Sequence, residues 1–451
     1  MSERVYGSWG RQDAGRRRAA VPMADGFPGI RSAGGLLPYG NGRSYGDSCL
    51  NDEGLLVDMR ARARILGFDA GTGVLTAEAG VLLSEITARV APQGWFLPVT
   101  PGTQFVTLGG AVANDVHGKN HHRRGSFGRW VKRLRLLRSD RDPVDLVPGD
   151  PLFEATVGGM GLTGLIETVE LQLMAVPSTT IRQTTTRFES LADYFDLAEA
   201  ADARHEYAVA WIDSLKTGRR AGRGHLICGD HAPDGARDGV AKPPLASVPL
   251  TPPVSPLRGL ALKAFNEAYF RRAKAGTQVR DVGFGSFFYP LDRIGGWNRL
   301  YGPRGLRQHQ SVVPLAEGPG AVPALIDCAS RHRHGSFLTV LKRFSDLGSA
   351  GILGFAREGY TLTLDFPDRG EATARLLDEL DAIVLASGGA VNAYKDGRMS
   401  PAVFEASYPR WRAVEARRDP AIVSDFWRRT ALALGSDRDR RDADGVHEAL
   451  P

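Results

Sequence analysis

The chain has only three cysteines in 451 residues: Cys49, Cys228 and Cys328. They are odd in number and widely spaced, with no CxxC pair, so neither a disulfide framework nor a zinc site is expected. No apolar run approaches ~18 residues, which excludes a spanning helix by composition. The start, Met-Ser-Glu-Arg-Val-Tyr, lacks the apolar stretch of a signal peptide. A cytoplasmic chain is expected, or one held peripherally at an inner membrane or cell envelope. No Walker GxxxxGK[ST] occurs, and the glycines of Gly40–Gly46 are spaced one residue too widely for a Rossmann GxGxxG turn. The net charge of +6 suits phosphates or lipid headgroups, or is simply a solvated basic surface. No Lys/Arg run is interleaved with aromatics, so a nucleic-acid groove is not expected.

Glycine, by contrast, is abundant, at 54 residues. Much of it lies in two segments, Pro38–Asp47 (PYGNGRSYGD) and Pro101–Gly128 (PGTQFVTLGGAVANDVHGKNHHRRGSFG). Neither has enough bulky apolar residues to build a core. Both let backbone approach a large ligand closely, because glycine has no Cβ. Two such loops in one domain suggest one extended ligand gripped twice, as a dinucleotide is gripped by a nest of backbone amides.

Around these loops the pattern is mixed. Leu55–Asp58 reads as a buried strand, Ile65–Phe68 and Val74–Ala77 as a hairpin about Gly71-Thr72-Gly73, and Leu82–Val90 as a helix. Leu108–Ala113 reads as a short small-residue helix, and Val131–Leu137 with Val144–Val147 as a second hairpin. From Thr179 the texture turns to polar, β-branched strands: Thr179–Thr186, Tyr207–Ile212, Ser286–Tyr289, Gln308–Val313, Ser336–Lys342 and Tyr360–Asp365. An amphipathic helix over Glu371–Ser387 follows. Residues 231–259 are rich in Pro, Gly and Ala and read as a mobile loop or lid. The fold class is therefore α+β, a domain of residues 1–178 followed by an antiparallel-sheet domain of 179–390, with a charged tail at 435–451.

The motifs GNGRSYGDSCLNDEGLLVDM, PGTQFVTLGGAVANDVHGKNHHRRGSFG and LFEATVGGMGLTGLIETVEL carry a resemblance, together with YAVAWID, FFYPLDRIGGWNRLYGP, LRQHQSVVP and YKDGR. In this order they resemble the FAD-binding oxidoreductases of vanillyl-alcohol-oxidase type, with the domain known as PCMH. Within that superfamily they are most similar to the actinobacterial decaprenylphosphoryl-β-D-ribose 2′-oxidase family. The resemblance implies a two-domain flavoprotein whose segment 391–434 returns to the FAD-binding domain. It implies FAD lying along Pro38, Tyr39, Gly40, Asn41, Gly42, Arg43, Ser44, Tyr45, Gly46, Asp47 and Ser48. The second loop would contribute Gly102, Thr107, Leu108, Gly109, Gly110, Asn114, Asp115, Val116, His117 and Gly118. Ile166 would lie near the adenine half, and Asn392 would enter from the C-terminal segment. Relatives that bond the flavin covalently use a histidine where Arg43 stands, and some a cysteine in the second loop, which has none here. Noncovalent FAD is the expectation.

Alcohol oxidation needs a proton acceptor and a group stabilising charge beside the cofactor. The resemblance makes Lys395 the site lysine, acting as base or as a held cation, where the residues alone would read an exposed lysine paired with Asp396. His117 would bond the substrate hydroxyl or phosphate, or brace its loop. Tyr45 would pack on the flavin or donate a hydrogen bond. Gln308 and Gln310 alternate on one strand, so both amides share a face, which in the relatives is the substrate pocket. Lys342 and Lys119 suit a phosphate or sugar hydroxyl, while Trp211 and Trp297 are pocket walls or core. Thr361 and Thr363 stand where the family carries an asparagine and a pocket cysteine, a departure that bears on which sugar is bound. No metal ligand set accompanies His117, His121 and His122.

The implied reaction oxidises a secondary hydroxyl of a phosphorylated or polyprenyl-phosphate-linked furanose to a ketone. In cell-wall arabinan synthesis that step is the first half of a 2′-epimerisation, completed by a separate NAD(P)H-dependent short-chain reductase. An alditol or aldonolactone oxidase using O₂ is the alternative enzyme, and a non-catalytic flavin- or lipid-binding protein the alternative of another class.

Overall fold

Leu55–Asp58 is the centre of the first layer. The computed structural model describes residues 5–12, 16, 18–216 and 218–436; the tail expected beyond 436 lies outside them. Strands β1 (Ala20–Pro22) and β2 (Leu36–Tyr39) both pair in parallel with β3 (Leu55–Asp58). Parallel strands are stable when covered on both faces, and Leu56 and Val57 are fully buried. A five-stranded antiparallel sheet packs with them. It comprises β4 (Ile65–Asp69), β5 (Val74–Glu78), β6 (Val131–Leu137), β7 (Val144–Leu146) and β8 (Leu165–Gln172), in the order β4-β5-β8-β6-β7. Helix α1 (Leu83–Val90) turns Leu83, Ile86 and Val90 into the core.

The second half is an eight-stranded antiparallel sheet. Its strands are β9 (Thr180–Phe188), β10 (Tyr207–Ile212), β11 (Gly224–His231), β12 (Thr277–Gly283), β13 (Leu306–Val313), β14 (Thr339–Phe344), β15 (Gly359–Pro367) and β16 (Ala390–Val391). They lie in the order β12-β9-β11-β10-β14-β15-β13-β16. The helices Gly318–Arg331 and Glu371–Ala386 pack together against this sheet.

The segment read as strand Ser286–Tyr289 is instead part of a short helix, Phe284–Phe288. Phe284, Phe287 and Phe288 sit at helical spacing and all three are buried; a short apolar run does not by itself distinguish the two periods. Strands β11 and β12 have no counterpart in the sequence reading. β12 is an edge strand whose side chains are mostly exposed, so it carries no apolar alternation. The stretch 231–259 is irregular apart from the strand end, a two-residue pairing of Ala246–Ser247 with Ile294–Gly295, and Gly259, where the helix Gly259–Arg272 begins.

The C-terminal segment folds back onto the first loops. Ile422 bridges Leu36 in parallel. The Asp425 carboxylate accepts the Asp52 N–H at 3.0 Å, Ser139 Oγ donates to Asp419 at 2.6 Å, and Arg429 pairs with Asp47 at 2.7 Å.

Candidate active site

Thr107 begins the short helix Leu108–Ala113, its Oγ1 accepting the Gly110 N–H at 3.2 Å. Leu108, Ala111 and Val112 are fully buried on the core side, while Gly109, Gly110 and Ala113 face a cavity. That cavity, of about 440 Å³, falls within the size range of small-molecule sites. It runs between the loops 38–49 and 100–119 on one side and the eight-stranded sheet on the other. Asn41 Nδ2 donates to Phe105 O at 2.8 Å and ties the two loops together. Gly42 turns the first loop with φ +62°, and a Cβ there would lie 2.1 Å from the Tyr39 hydroxyl. Ser48 Oγ and Arg43 Nε, both on cavity-lining residues, are buried with no hydrogen-bond partner among the described residues.

Most of the residues expected at the cofactor converge here. Pro38, Gly40 to Tyr45, Ser48, Gly102, Thr107, Gly109, Gly110, Asn114 to Gly118, Ile166 and Asn392 all line the cavity. Others lie behind its wall. Tyr39 turns away to donate to Gly7 O at 2.7 Å. Gly46 packs against the backbone of Asp396, Asp47 is occupied by Arg429, and Leu108 is core. Asp115 reaches the cavity but its carboxylate accepts Ser126 Oγ at 2.7 Å and the Gly128 N–H at 2.8 Å, so it braces the loop.

The helix N-terminus does not offer its amides. The Leu108 and Gly109 N–H groups donate to Val81 O and Ala79 O at 2.7 and 2.8 Å.

On the sheet side the pleat presents one face to the cavity. Gln308 and Gln310 of β13, Thr363 of β15, Lys342 of β14 and Trp211 of β10 all line it. Thr361 does not. It is buried behind Gln310, whose Nε2 donates to Thr361 Oγ1 at 3.0 Å. Trp211 packs edge-on against Tyr269 with centroids 4.6 Å apart, and Trp297 also reaches the cavity.

The electrostatics are set by three buried lysines, all shifted toward neutrality, and one buried carboxyl. Burial brings Lys395 down to about 8, opposed by the negative Asp365. Burial likewise raises Asp365 to about 7, opposed by hydrogen bonding from Gln308 and by Lys395. Gln308 Nε2 donates to Asp365 Oδ1. Tyr45 is held well above its ordinary range, chiefly by burial and then by Asp365, so it stays protonated, with a hydrogen bond from Gln308 opposing the shift. Lys395 Nζ lies 5.6 Å from the Tyr45 ring centroid. Lys119 is brought down by burial to about 7 and donates to Phe287 O.

Burial also lowers His117 well below its usual value, with Lys342, Lys395 and His121 adding to the effect. His121 itself is buried against Phe344, with centroids 4.4 Å apart, and does not line the cavity. Asp365 is the residue that sequence reasoning missed; its alternation with Thr363, opposite Gln308, is the signal that could have found it.

Cys49 lines the cavity, yet burial pushes its thiol up to about 12, which disfavours a nucleophilic thiolate. All three cysteines are free. Among the described residues, Cys328, His332 and Glu379 could hold a metal ion, their ligand atoms lying within 4.8 Å of one another. None of the three lines the cavity, and Glu379 already receives Arg331 and His332.

The family described as "FAD binding domain" matches residues 33–145, the stretch that holds both glycine loops. The chain is 36% identical over 420 residues to the decaprenylphosphoryl-beta-D-ribose oxidase of Mycolicibacterium smegmatis, covering 88% of this chain and 89% of that protein. The chain belongs to this family of FAD-dependent oxidoreductases. A Streptomyces coelicolor protein without a described function is 36% identical over 372 residues, 78% of this chain and all of that one. The L-gulono-1,4-lactone dehydrogenase of Mycobacterium tuberculosis is 30% identical over 133 residues, 30% of each chain. As in an FAD enzyme, glycines of both loops line the cavity, and Ser48 Oγ and Arg43 Nε, buried with no hydrogen-bond partner among the described residues, suit a polar cofactor between the loops. Among the described residues no helix is long and apolar enough to cross a membrane.

Proposed function

We propose that this oxidoreductase converts a secondary hydroxyl of a phosphorylated or polyprenyl-phosphate-linked furanose to the ketone, with FAD held noncovalently. The carrying observation is that Lys395, His117, Gln308 and Gln310 share one cavity with both glycine loops. The FAD supplies hydride acceptance at the carbinol carbon when bound. Lys395, brought down to about 8 by burial, takes the hydroxyl proton, and the negative charge of Asp365 opposes that lowering. Tyr45 and Gln308 orient the substrate oxygen. Residues 1–178 with 391–434 form the FAD-binding domain and 179–390 the substrate-binding domain in this reading. The ketone product calls for a reductase using NAD(P)H if the overall change is an epimerisation.

The test is anaerobic flavin bleaching against polyprenyl-phosphoryl pentoses, free alditols and sugar nucleotides. Rapid bleaching by the first group is expected. Bleaching by free alditols or aldonolactones alone favours the second reading, which the partial similarity to a gulonolactone dehydrogenase supports. Reoxidation by air rather than by a quinone points the same way. A protein bleached by none of them is a binding protein.

A lipid-linked substrate needs a route from a bilayer. Leu245, Leu250 and Leu260 are 78, 77 and 83% exposed, and Lys242, Arg258 and Lys263 lie exposed beside them in sequence. Exposed aliphatic side chains flanked by cations fit an anionic membrane surface. Leu257, in the same stretch, packs on the cluster of Trp297 and Tyr301 at the cavity. The triple change Leu245→Asp, Leu250→Asp and Leu260→Asp is expected to abolish co-sedimentation with anionic phospholipid vesicles while leaving turnover of a short-chain, soluble substrate intact. Unchanged sedimentation removes the membrane role.

A further inference from the structure

The side chains around His117 form a directional hydrogen-bond chain, and its direction is set by the backbone. The Tyr394 N–H can only donate, and it lies 3.0 Å from Asn392 Oδ1. This assigns the Asn392 amide: its Nδ2 must be the atom that donates to Gln310 Oε1, at 2.9 Å. Gln310 is assigned in turn. Its Nε2 donates to Thr361 Oγ1 at 3.0 Å and meets His117 Nε2 at 3.1 Å. An amide NH₂ has no lone pair to offer, so His117 Nε2 must accept. The neutral imidazole then carries its proton on Nδ1. That nitrogen lies 2.9 Å from Lys342 Nζ.

Two donors cannot share that contact. An ammonium has no lone pair, whereas a neutral amine has one. The anchor of the chain is rigid: the Tyr394 hydroxyl sits within hydrogen-bonding distance of Gly158 O and Leu353 O, at 2.6 and 2.7 Å. We propose that Lys342 rests as a neutral amine, accepting from His117 Nδ1–H, and that it recognises an uncharged sugar hydroxyl rather than the substrate's phosphate. One amine N–H donates to Gly118 O at 2.7 Å, leaving a second for the cavity that Lys342 lines.

The surroundings agree. The charged groups that bear on Lys342 are Lys395 and Lys119, and those on His117 are Lys342, Lys395 and His121. All are cationic or become so, and all favour neutrality. Phe344 and Phe355 close the remaining sides of the imidazole, with centroids at 4.9 and 6.1 Å. The assignment of a hydroxyl ligand rests on the carbohydrate substrate proposed above; the protonation state does not.

The first experiment is therefore substrate-free. The holoenzyme is labelled with ¹³Cε-lysine, and the Lys342 signal is identified by its loss in Lys342→Met. A neutral-amine shift at pH 7.5 is expected; an ammonium shift there overturns the proposal. Gln310→Leu removes the amide that holds His117 in one tautomer, so the Lys342 midpoint should rise by about one pH unit or more. An unmoved midpoint shows that Gln310 only packs and overturns the relay. The second experiment compares a phosphorylated pentose with its phosphate-free counterpart. Lys342→Gln should lower kcat/KM for both by about tenfold, the worth of one hydrogen bond. A loss confined to the phosphorylated substrate makes Lys342 the phosphate cation and overturns the assignment. If the wild type oxidises neither sugar, the carbohydrate reading fails while the lysine titration still decides the protonation state.

Discussion

Replacing Lys395 with methionine is expected to lower kcat by roughly a hundred- to ten-thousand-fold, the usual contribution of a positioned general base. Methionine keeps the length and the apolar stem, so flavin content and folding should be retained. Single-turnover flavin bleaching measures the step directly. The pH profile gives the sign. Lys395 accepts a proton only when neutral, and burial brings it to about 8. The rate should therefore climb as pH rises through about 8 and flatten above. Asp365 opposes that lowering, so its negative charge keeps the lysine protonated to higher pH. Asp365→Asn should move the rising limb to lower pH. If bleaching by Lys395→Met matches the wild type, the base is elsewhere.

Gly42→Val should cost the enzyme its cofactor. The new Cβ would lie 2.1 Å from the Tyr39 hydroxyl and 2.6 Å from Gly7 O, on a residue with φ +62°. Left-handed backbone is unfavourable for a β-branched side chain by about 1–2 kcal/mol per residue, and the overlap cannot be relieved without moving the loop. The expected outcome is at least a tenfold weaker flavin affinity, read by fluorescence titration of the apoprotein, with an unchanged circular dichroism spectrum. The noncovalent binding proposed above, resting on the resemblance that sets Arg43 where covalent relatives carry a histidine, predicts that the wild type releases its flavin on acid precipitation. Flavin that stays in the pellet refutes noncovalent binding.

The glycine loops were legible because small residues without apolar partners have few other uses. Gln308 and Gln310 were legible because a period of two puts both on one face. Thr361 was expected in the pocket from the resemblance, not from periodicity: it shares the pleat with Thr363, but Gln310 covers it, and neither a motif nor a period describes what lies over a face. Asp365 at the end of a strand looks like a turn residue until Lys395, which it faces, is brought beside it by the fold. Tyr394 reads as an ordinary aromatic; its role comes from a backbone N–H, which no side-chain pattern records.

The returning C-terminal segment has a consequence for the order in which the protein is made. Lys395 and Asn392 lie late in the chain, and Arg429 reaches back 382 positions to Asp47 at the first glycine loop. A nascent chain that has emerged only through the second loop holds both glycine segments but none of these partners. The first glycine loop is therefore braced only once a residue 382 positions later has been made, and a change at Arg429 bears on the same loop as one at Asp47.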